Sequence, residues 1–260
     1  MAAPILWDLK PSHYAEKARW ALDYKSIPHE RRAVIPGRHL RIARRLGAGQ
    51  TFPVLVWDGI VVGDSKAIVA TLERRCPDPP LYPVDPEDRR RALELEAFLD
   101  EELGEHLRRV VLDRFLRDRD LFMEAIVPEL AGAKGESTEE RFRKIAPDFA
   151  SRFSVDERTV AESWQRLRAV GARFRDELQP NGYLVGDDFT VADLTAAALA
   201  SLAVAPPQFP YPQPQRGHPL LEPIREALAA CGLYDWTLEM YARHRGRWTE
   251  VATEWTESAP

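Results

Sequence analysis

The sequence predicts a small α/β domain followed by a larger, all-helical one. Three observations carry that expectation. The first eighty or so residues alternate short apolar runs with helix-like stretches; a proline-rich tract at 77–86 then breaks the pattern; beyond it, strand signals all but disappear. At 260 residues the chain exceeds the usual single domain, which suits two modest ones.

The elements follow in order. Pro4-Ile5-Leu6-Trp7-Asp8-Leu9 reads as a buried strand closed by Lys10-Pro11. From Ser12 the period becomes helical, with Tyr14, Ala18, Ala21 and Leu22 on one face and Ser12 as a good N-cap. A weaker strand is expected near 31–35, and Pro36-Gly37 ends it. A short basic helix at 38–46 is closed by Gly47-Ala48-Gly49. Pro53-Val54-Leu55-Val56-Trp57 and Ile60-Val61-Val62 flank Asp58-Gly59, a pair that accepts the positive φ angles of a type I′ hairpin turn. Gly63-Asp64-Ser65 then opens another helix. The order βαβαββα describes a thioredoxin-like domain. Domain limits are expected at 1–78, with a linker at 79–88 and a helical domain at 89–260. In that second part the apolar stripe Leu93, Leu95, Phe98, Leu99, Leu103, Leu107 and Val110 predicts one long helix over 88–119. Further helices are expected near 137–146, 155–178, 190–204, 219–231 and 234–245, with a proline-rich loop at 205–219.

Composition excludes several classes of function. A net charge of -5 argues against a nucleic-acid binder, and the basic run 38–45 reads as a solvated helix face. Cys76 and Cys231 are too few and too far apart for a disulfide framework, a dithiol centre or a zinc site. The six histidines show no paired ligand spacing, so no metal is expected; His106 and Arg109, on the long helix, either face the cleft or, as the simpler reading, form a solvated face. No basic leader or apolar run of about 20 residues occurs, so no membrane span is expected and the cytoplasm is the expected compartment.

Two places can carry chemistry. Pro53 cannot donate to a sheet ladder, so it marks either a plain edge strand or a backbone turned outward to pair with an extended ligand. Asp64-Ser65 is either a simple helix cap or an N-terminus able to hold a carboxylate. Thr190-x-x-Asp193 is a capping box leading into an Ala/Leu-rich helix, and is structural.

Together these residues resemble the glutathione transferase superfamily. The likeness rests on Phe52-Pro53-Val54-Leu55 with Gly63-Asp64-Ser65, on Ser12-His13-Tyr14-Ala15-Glu16-Lys17-Ala18-Arg19, and on Gly186-Asp187-Asp188-Phe189-Thr190-Val191-Ala192-Asp193. It covers 4–82 well and about 180–245 moderately, while 112–160 matches no recognised pattern and His13 stands where the family often has proline. The resemblance implies a cis peptide before Pro53, and Phe52 and Pro53 lying along glutathione. It also implies Ser65 on the γ-glutamyl carboxylate, Asp64 near the amino group, and Gln50 and Thr51 as neighbours of the same pocket. Ser12 falls at the catalytic position, where its hydroxyl and the helix N-terminus would lower a thiol pKa that is otherwise near 8.5. Tyr14 and His13 remain alternatives for that task, and Tyr14 also reads as core. Glutathione would be a co-substrate with no further cofactor, the partner a small electrophile, and the assembly a homodimer. A non-catalytic scaffold and an enzyme using another small thiol are the rival readings.

Overall fold

The structure, a computed structural model, describes residues 3–131, 135–246, 248–252 and 255. Four strands, β1 (Ile5–Asp8), β2 (Glu30–Ala33), β3 (Val54–Trp57) and β4 (Ile60–Gly63), form one sheet in the order β2-β1-β3-β4. β1 runs parallel to β2, while β1–β3 and β3–β4 are antiparallel. The β3–β4 turn is the expected one: Asp58 and Gly59 have φ of 51° and 77°, and Trp57 pairs with Ile60.

The period-2 alternation of the strands sends residues to two different layers. Leu6 and Leu55 point into a large core with Ala18 and Leu22 of α1 (His13–Tyr24) and with Ile68 and Leu72 of α3 (Ser65–Arg75). Val54, with Trp7 and Val56, faces a smaller core closed by Ala43 of α2 (His39–Leu46). Arg41, Arg44 and Arg45 of α2 are exposed, as the solvated-face reading expects. The Phe52–Pro53 peptide is cis.

The helical domain begins with α4 (Pro86–Phe98), capped by Asp85, inside the stretch read as linker. The long helix expected over 88–119 is interrupted: a π-helical turn spans Leu99–Gly104 before α5 (Glu105–Phe115). Interior partners explain the widened turn. The Tyr14 hydroxyl donates to the carbonyl of Asp100 at 2.6 Å, Lys17 Nζ reaches the Asp100 carboxylate at 2.7 Å, and His13 Nε2 lies 3.1 Å from the Gly104 carbonyl. Two short helices, α6 (Arg119–Ile126) and α7 (Pro128–Ala131), follow where no separate element was expected. α8 (Thr138–Arg152) runs past the expected end at 146, with Pro147 inside it and exposed. α9 (Glu157–Glu177), α10 (Val191–Val204), a 3₁₀ turn (Pro219–Leu221), α11 (Glu222–Ala230) and α12 (Leu233–His244) complete the domain.

Helix α10 is buried over its whole length, as its all-round apolar sequence requires. Its capping box forms: Asp193 Oδ2 accepts from the Thr190 amide and hydroxyl at 2.9 Å each, and Oδ1 accepts from the Leu184 amide at 2.8 Å. His106 and Arg109 are not a solvated face. Both bond to Ser163 Oγ at 3.0 Å and tie α5 to α9. No described helix is long and apolar enough to cross a membrane, and no group of described residues is arranged to hold a metal ion.

Candidate active site

Ser12 sits where β1 has ended and α1 begins. Its backbone is extended, with φ of -77° and ψ of 120°, and its Oγ accepts the Ala15 amide at 3.2 Å. That bond uses an oxygen lone pair, so the hydroxyl proton stays available to a second partner. The turn itself is fixed from below by Arg19. Its guanidinium is fully buried, pairs with Asp8 at 2.6 Å and Glu16 at 2.9 Å, and donates to the Ser12 carbonyl at 3.2 Å. The ring faces of Phe209 and Tyr211, from the proline-rich loop, cover it at 5.5 and 5.1 Å.

Above the turn lies a cavity of about 580 Å³, walled by both domains. Ser12, His13, Tyr14, Gln50, Thr51 and Phe52 line it from the first domain. Pro53, Asp64 and Ser65 are not among its walls. Asp64 instead caps α3: its Oδ1 accepts the Lys66 amide at 2.8 Å and the Ala67 amide at 3.2 Å, with the Asp64 backbone held at φ of 72°. Ser65, next to it, is buried.

The two alternatives to Ser12 are engaged elsewhere. His13 is buried rather than exposed, and burial first, then the Arg108 charge, pushes its pKa down to about 3. Its imidazole is therefore neutral and a very weak base. The Tyr14 hydroxyl is committed to the Asp100 carbonyl, and burial drives its pKa well above the ordinary phenol value.

The opposite wall carries charges that were not expected. Arg108, Lys144 and Arg152 line the cavity beside apolar Val111, Leu112 and Phe115, with Asp148 the acidic residue among them. Among the described residues Arg108 has only Glu105 for an ion-pair partner, at 3.8 Å, and burial disfavours its charge. Its guanidinium lies 4.7 Å over the Phe153 ring and 5.7 Å over that of Tyr14. Lys144 pairs with Glu136, and no described carboxylate lies within 4.0 Å of Arg152. His39, also on the wall, is held neutral by burial and by the Arg152 charge, its pKa lowered to about 4. A signal for Arg108 was in the sequence: it heads the helical stripe 108, 111, 112, 115, a cation on an otherwise apolar face. Arg152 closes the stripe 145, 149, 152 in the same way.

A mixed four-stranded sheet with a cis Phe52–Pro53 peptide, followed by a helical domain whose buried helix α10 is capped by Thr190 and Asp193, defines a two-domain class of protein, thioredoxin-like and then all-helical. The chain belongs to the glutathione S-transferase superfamily. The model of the glutathione S-transferase N-terminal domain matches residues 6–80, and that of the C-terminal domain matches 133–229. A maleylpyruvate isomerase from Ralstonia sp. is 27% identical over 208 residues, covering 77% of this chain and 98% of the relative. Among solved structures, a glutathione S-transferase from Methylobacterium radiotolerans, in complex with glutathione sulfonate, superimposes with a TM-score of 0.61 at 23% identity over 99% of both chains. The β-etherase LigF from a Sphingobium strain gives 0.62 at 20% identity over 94% of this chain and 97% of the other. At these identities the likeness to solved structures establishes the fold.

Proposed function

We propose that the protein is a glutathione-dependent enzyme in which the Ser12 hydroxyl activates the bound thiol. The observation that carries this is the placement of Ser12: a helix N-cap with its proton to spare, opening into a cavity shared by both domains. Glutathione would lie extended along the first domain. Ser65 and the start of α3 would take the γ-glutamyl carboxylate, the unused Oδ2 of Asp64 its ammonium, and the Phe52 backbone would pair with the cysteinyl residue, with Gln50 and Thr51 alongside. At pH 7 only a few per cent of a free thiol is ionised. A hydroxyl donor at the positive end of α1 favours the thiolate, which then attacks an electrophilic carbon held against the helical wall.

Ser12→Ala tests the assignment. Loss of a hydrogen bond to a charged sulfur should raise the pKa of the bound thiol by about one to two units and lower turnover at neutral pH by a similar factor in powers of ten. Tyr14→Phe should leave that pKa in place. An unaltered thiol pKa in Ser12→Ala would remove Ser12 from the mechanism, and glutathione binding without turnover of any electrophile would favour the scaffold reading.

The cationic wall favours a particular kind of acceptor. Arg108, Lys144 and Arg152 suit a small unsaturated acid better than a neutral aromatic electrophile. With such a substrate, the thiolate adds to one alkene carbon and the electron pair moves onto the conjugated carbonyl as an enolate. Rotation about the new single bond and collapse of the enolate then expel the thiolate, so the net reaction is cis–trans isomerisation. The Ralstonia relative is named as an isomerase of this kind of acid. Arg108→Met should raise KM for a cis-configured conjugated acid about tenfold or more while sparing its methyl ester. Equal effects on acid and ester would refute the role given to Arg108.

A further inference from the structure

Beyond α12 the chain returns to the first domain. Residues 248–251 lie beside the start of β2: the His29 amide donates to the Thr249 carbonyl at 3.1 Å, and the Val251 amide donates to the His29 carbonyl at 2.9 Å. The Trp248 ring covers the guanidinium groups of Arg245 and Arg31 at 4.6 and 5.4 Å. None of residues 248–251 lines the cavity at Ser12.

Thr249 is nonetheless the outer end of a continuous chain of bonds that finishes at Ser12. Its amide donates to Asp23 Oδ1 at 2.8 Å, and its Oγ1 stands 2.9 Å from the same oxygen and 2.8 Å from the Ile27 carbonyl. The other carboxylate oxygen of Asp23 accepts from Arg31 and, at 2.9 Å, from Arg245 Nη1. Arg245 Nε donates to Glu16 Oε1 at 2.8 Å, and Arg19 Nε donates to Glu16 Oε2 at 2.9 Å. Arg19 Nη2 then donates to the Ser12 carbonyl at 3.2 Å. Each acid gives its two oxygens to different partners, so neither carboxylate turns without moving the next link. Asp23, Arg245, Glu16 and Arg19 are all buried, where a lost partner is not replaced by solvent. Burial works against the Asp23 charge, but Arg245, Arg31 and the Thr249 amide outweigh it and hold that carboxyl below the usual carboxylate range.

We infer that Thr249 is a positioning residue for Ser12, acting through Asp23, Arg245, Glu16 and Arg19. Its contacts set the rotation of the Asp23 carboxylate, which aims Oδ2 at Arg245. The alternation of acid and guanidinium carries that setting to the Ser12 carbonyl, and so to the hydroxyl above it. The consequence for catalysis rests on the reading of Ser12 as the group that activates the thiol; the consequence for the Ser12 turn does not.

The test uses the full chain and two variants: Thr249→Val keeps the side-chain shape and removes the hydroxyl, while Thr249→Ser keeps the hydroxyl. One readout is hydrogen exchange at the Ala15 amide, which donates to Ser12 Oγ, with Ser12→Ala marking complete loss of that bond. The other is the pKa of bound glutathione, with kcat and the acceptor KM. Thr249→Val should speed Ala15 exchange about fivefold, raise the thiol pKa, and lower kcat about fivefold at unchanged KM. Thr249→Ser should restore all three. In a Ser12→Ala background, Thr249→Val should move the thiol pKa no further. If Thr249→Val does not fold, Val251→Pro is read in its place, since it removes the amide bond to His29 at an exposed position and touches no member of the chain. Unchanged Ala15 exchange overturns the inference, as does faster exchange spread evenly over α1 and α9, the sign of a merely loosened fold. A thiol pKa that moves in Ser12→Ala but not in Thr249→Val also overturns it. If Ser12→Ala itself leaves the thiol pKa in place, the function given to Ser12 fails, and Ala15 exchange alone decides whether Thr249 positions the turn.

Discussion

Acidification offers a quantitative test of how the histidines are built into the fold. His13, His29 and His39 are buried, and their pKa values are lowered to about 3, 4 and 4 from an ordinary 6.5. Burial is the leading cause in each, followed by the neighbouring cations Arg108, Arg31 and Arg152 respectively. A group with a depressed folded pKa contributes stability that is fully present above its unfolded pKa and is lost as pH falls toward the folded value. For these histidines the window opens at pH 6.5 and extends to about pH 4 or below. At pH 5 each unfolded imidazole is almost wholly protonated and each folded one almost wholly neutral, which is a loss of about 2 kcal/mol per histidine. Asp193 works in the opposite direction. Burial raises its pKa to about 6, so protonation near pH 5 returns about 1 kcal/mol. The decisive quantity is therefore the comparison between variants, not the wild-type total. Urea unfolding at pH 7.5 and pH 5.0 should show a smaller pH-dependent loss in His13→Gln than in the wild type, by about 2 kcal/mol. His29→Gln and His39→Gln should behave alike. If His13→Gln loses as much stability between the two pH values as the wild type does, His13 is already charged in the fold and its buried, neutral description is wrong.

Two further substitutions probe the packing that supports the site. Gly104→Ala would place a Cβ on top of the Tyr14 hydroxyl and 3.2 Å from Leu199 Cδ1; the forced shift should cost about 3 kcal/mol, read as a lowered thermal midpoint. Asp193→Ala would strand the Leu184 amide and the Thr190 amide and hydroxyl in a buried site. Loss of roughly 2–4 kcal/mol in urea unfolding is expected, with the same thiol pKa in whatever fraction folds.

Local chemistry made most of the first domain legible. Asp58-Gly59 names its own turn, Ser12 and Asp64 name the helix starts, and the alternating apolar residues of β1 and β3 name the two layers. Each of these signals lies within a few residues of what it determines. The misreadings share the opposite property. The π-helical turn at Leu99–Gly104 is invisible in the stripe of leucines because its cause is Tyr14, His13 and Lys17, more than eighty residues away. His106 and Arg109 resembled a solvated face because their partner, Ser163, lies on another helix. The cavity was half legible for the same reason. Ser12, Phe52 and their neighbours stand in recognisable strings, whereas Arg108 and Arg152 act on it from helices α5 and α8, where the local signal is no more than a cation at the end of an apolar stripe.

Helix α1 is what makes a site out of these separate parts. Its first turn presents Ser12 to the cavity, and the rest of the helix is bonded into the second domain. Tyr14 and Lys17 fix it to the π-helical turn, Trp20 Nε1 donates to the His244 carbonyl at 3.1 Å, and Glu16 and Asp23 accept from Arg245 at 2.8 and 2.9 Å. These charges are fully buried, and burying an ion pair gains little net stability over apolar packing of the same volume. What such pairs do supply is register, since a shift of one helical position would leave Glu16, Lys17 and Arg19 each facing the wrong partner without water to replace it. The Arg19 clasp passes that register on to the Ser12 carbonyl. Helix α5, which carries Arg108, continues directly from the same π-helical turn. The serine hydroxyl and the Arg108 side of the cavity are thus referred to one shared piece of backbone, and their separation is set by the domain interface itself.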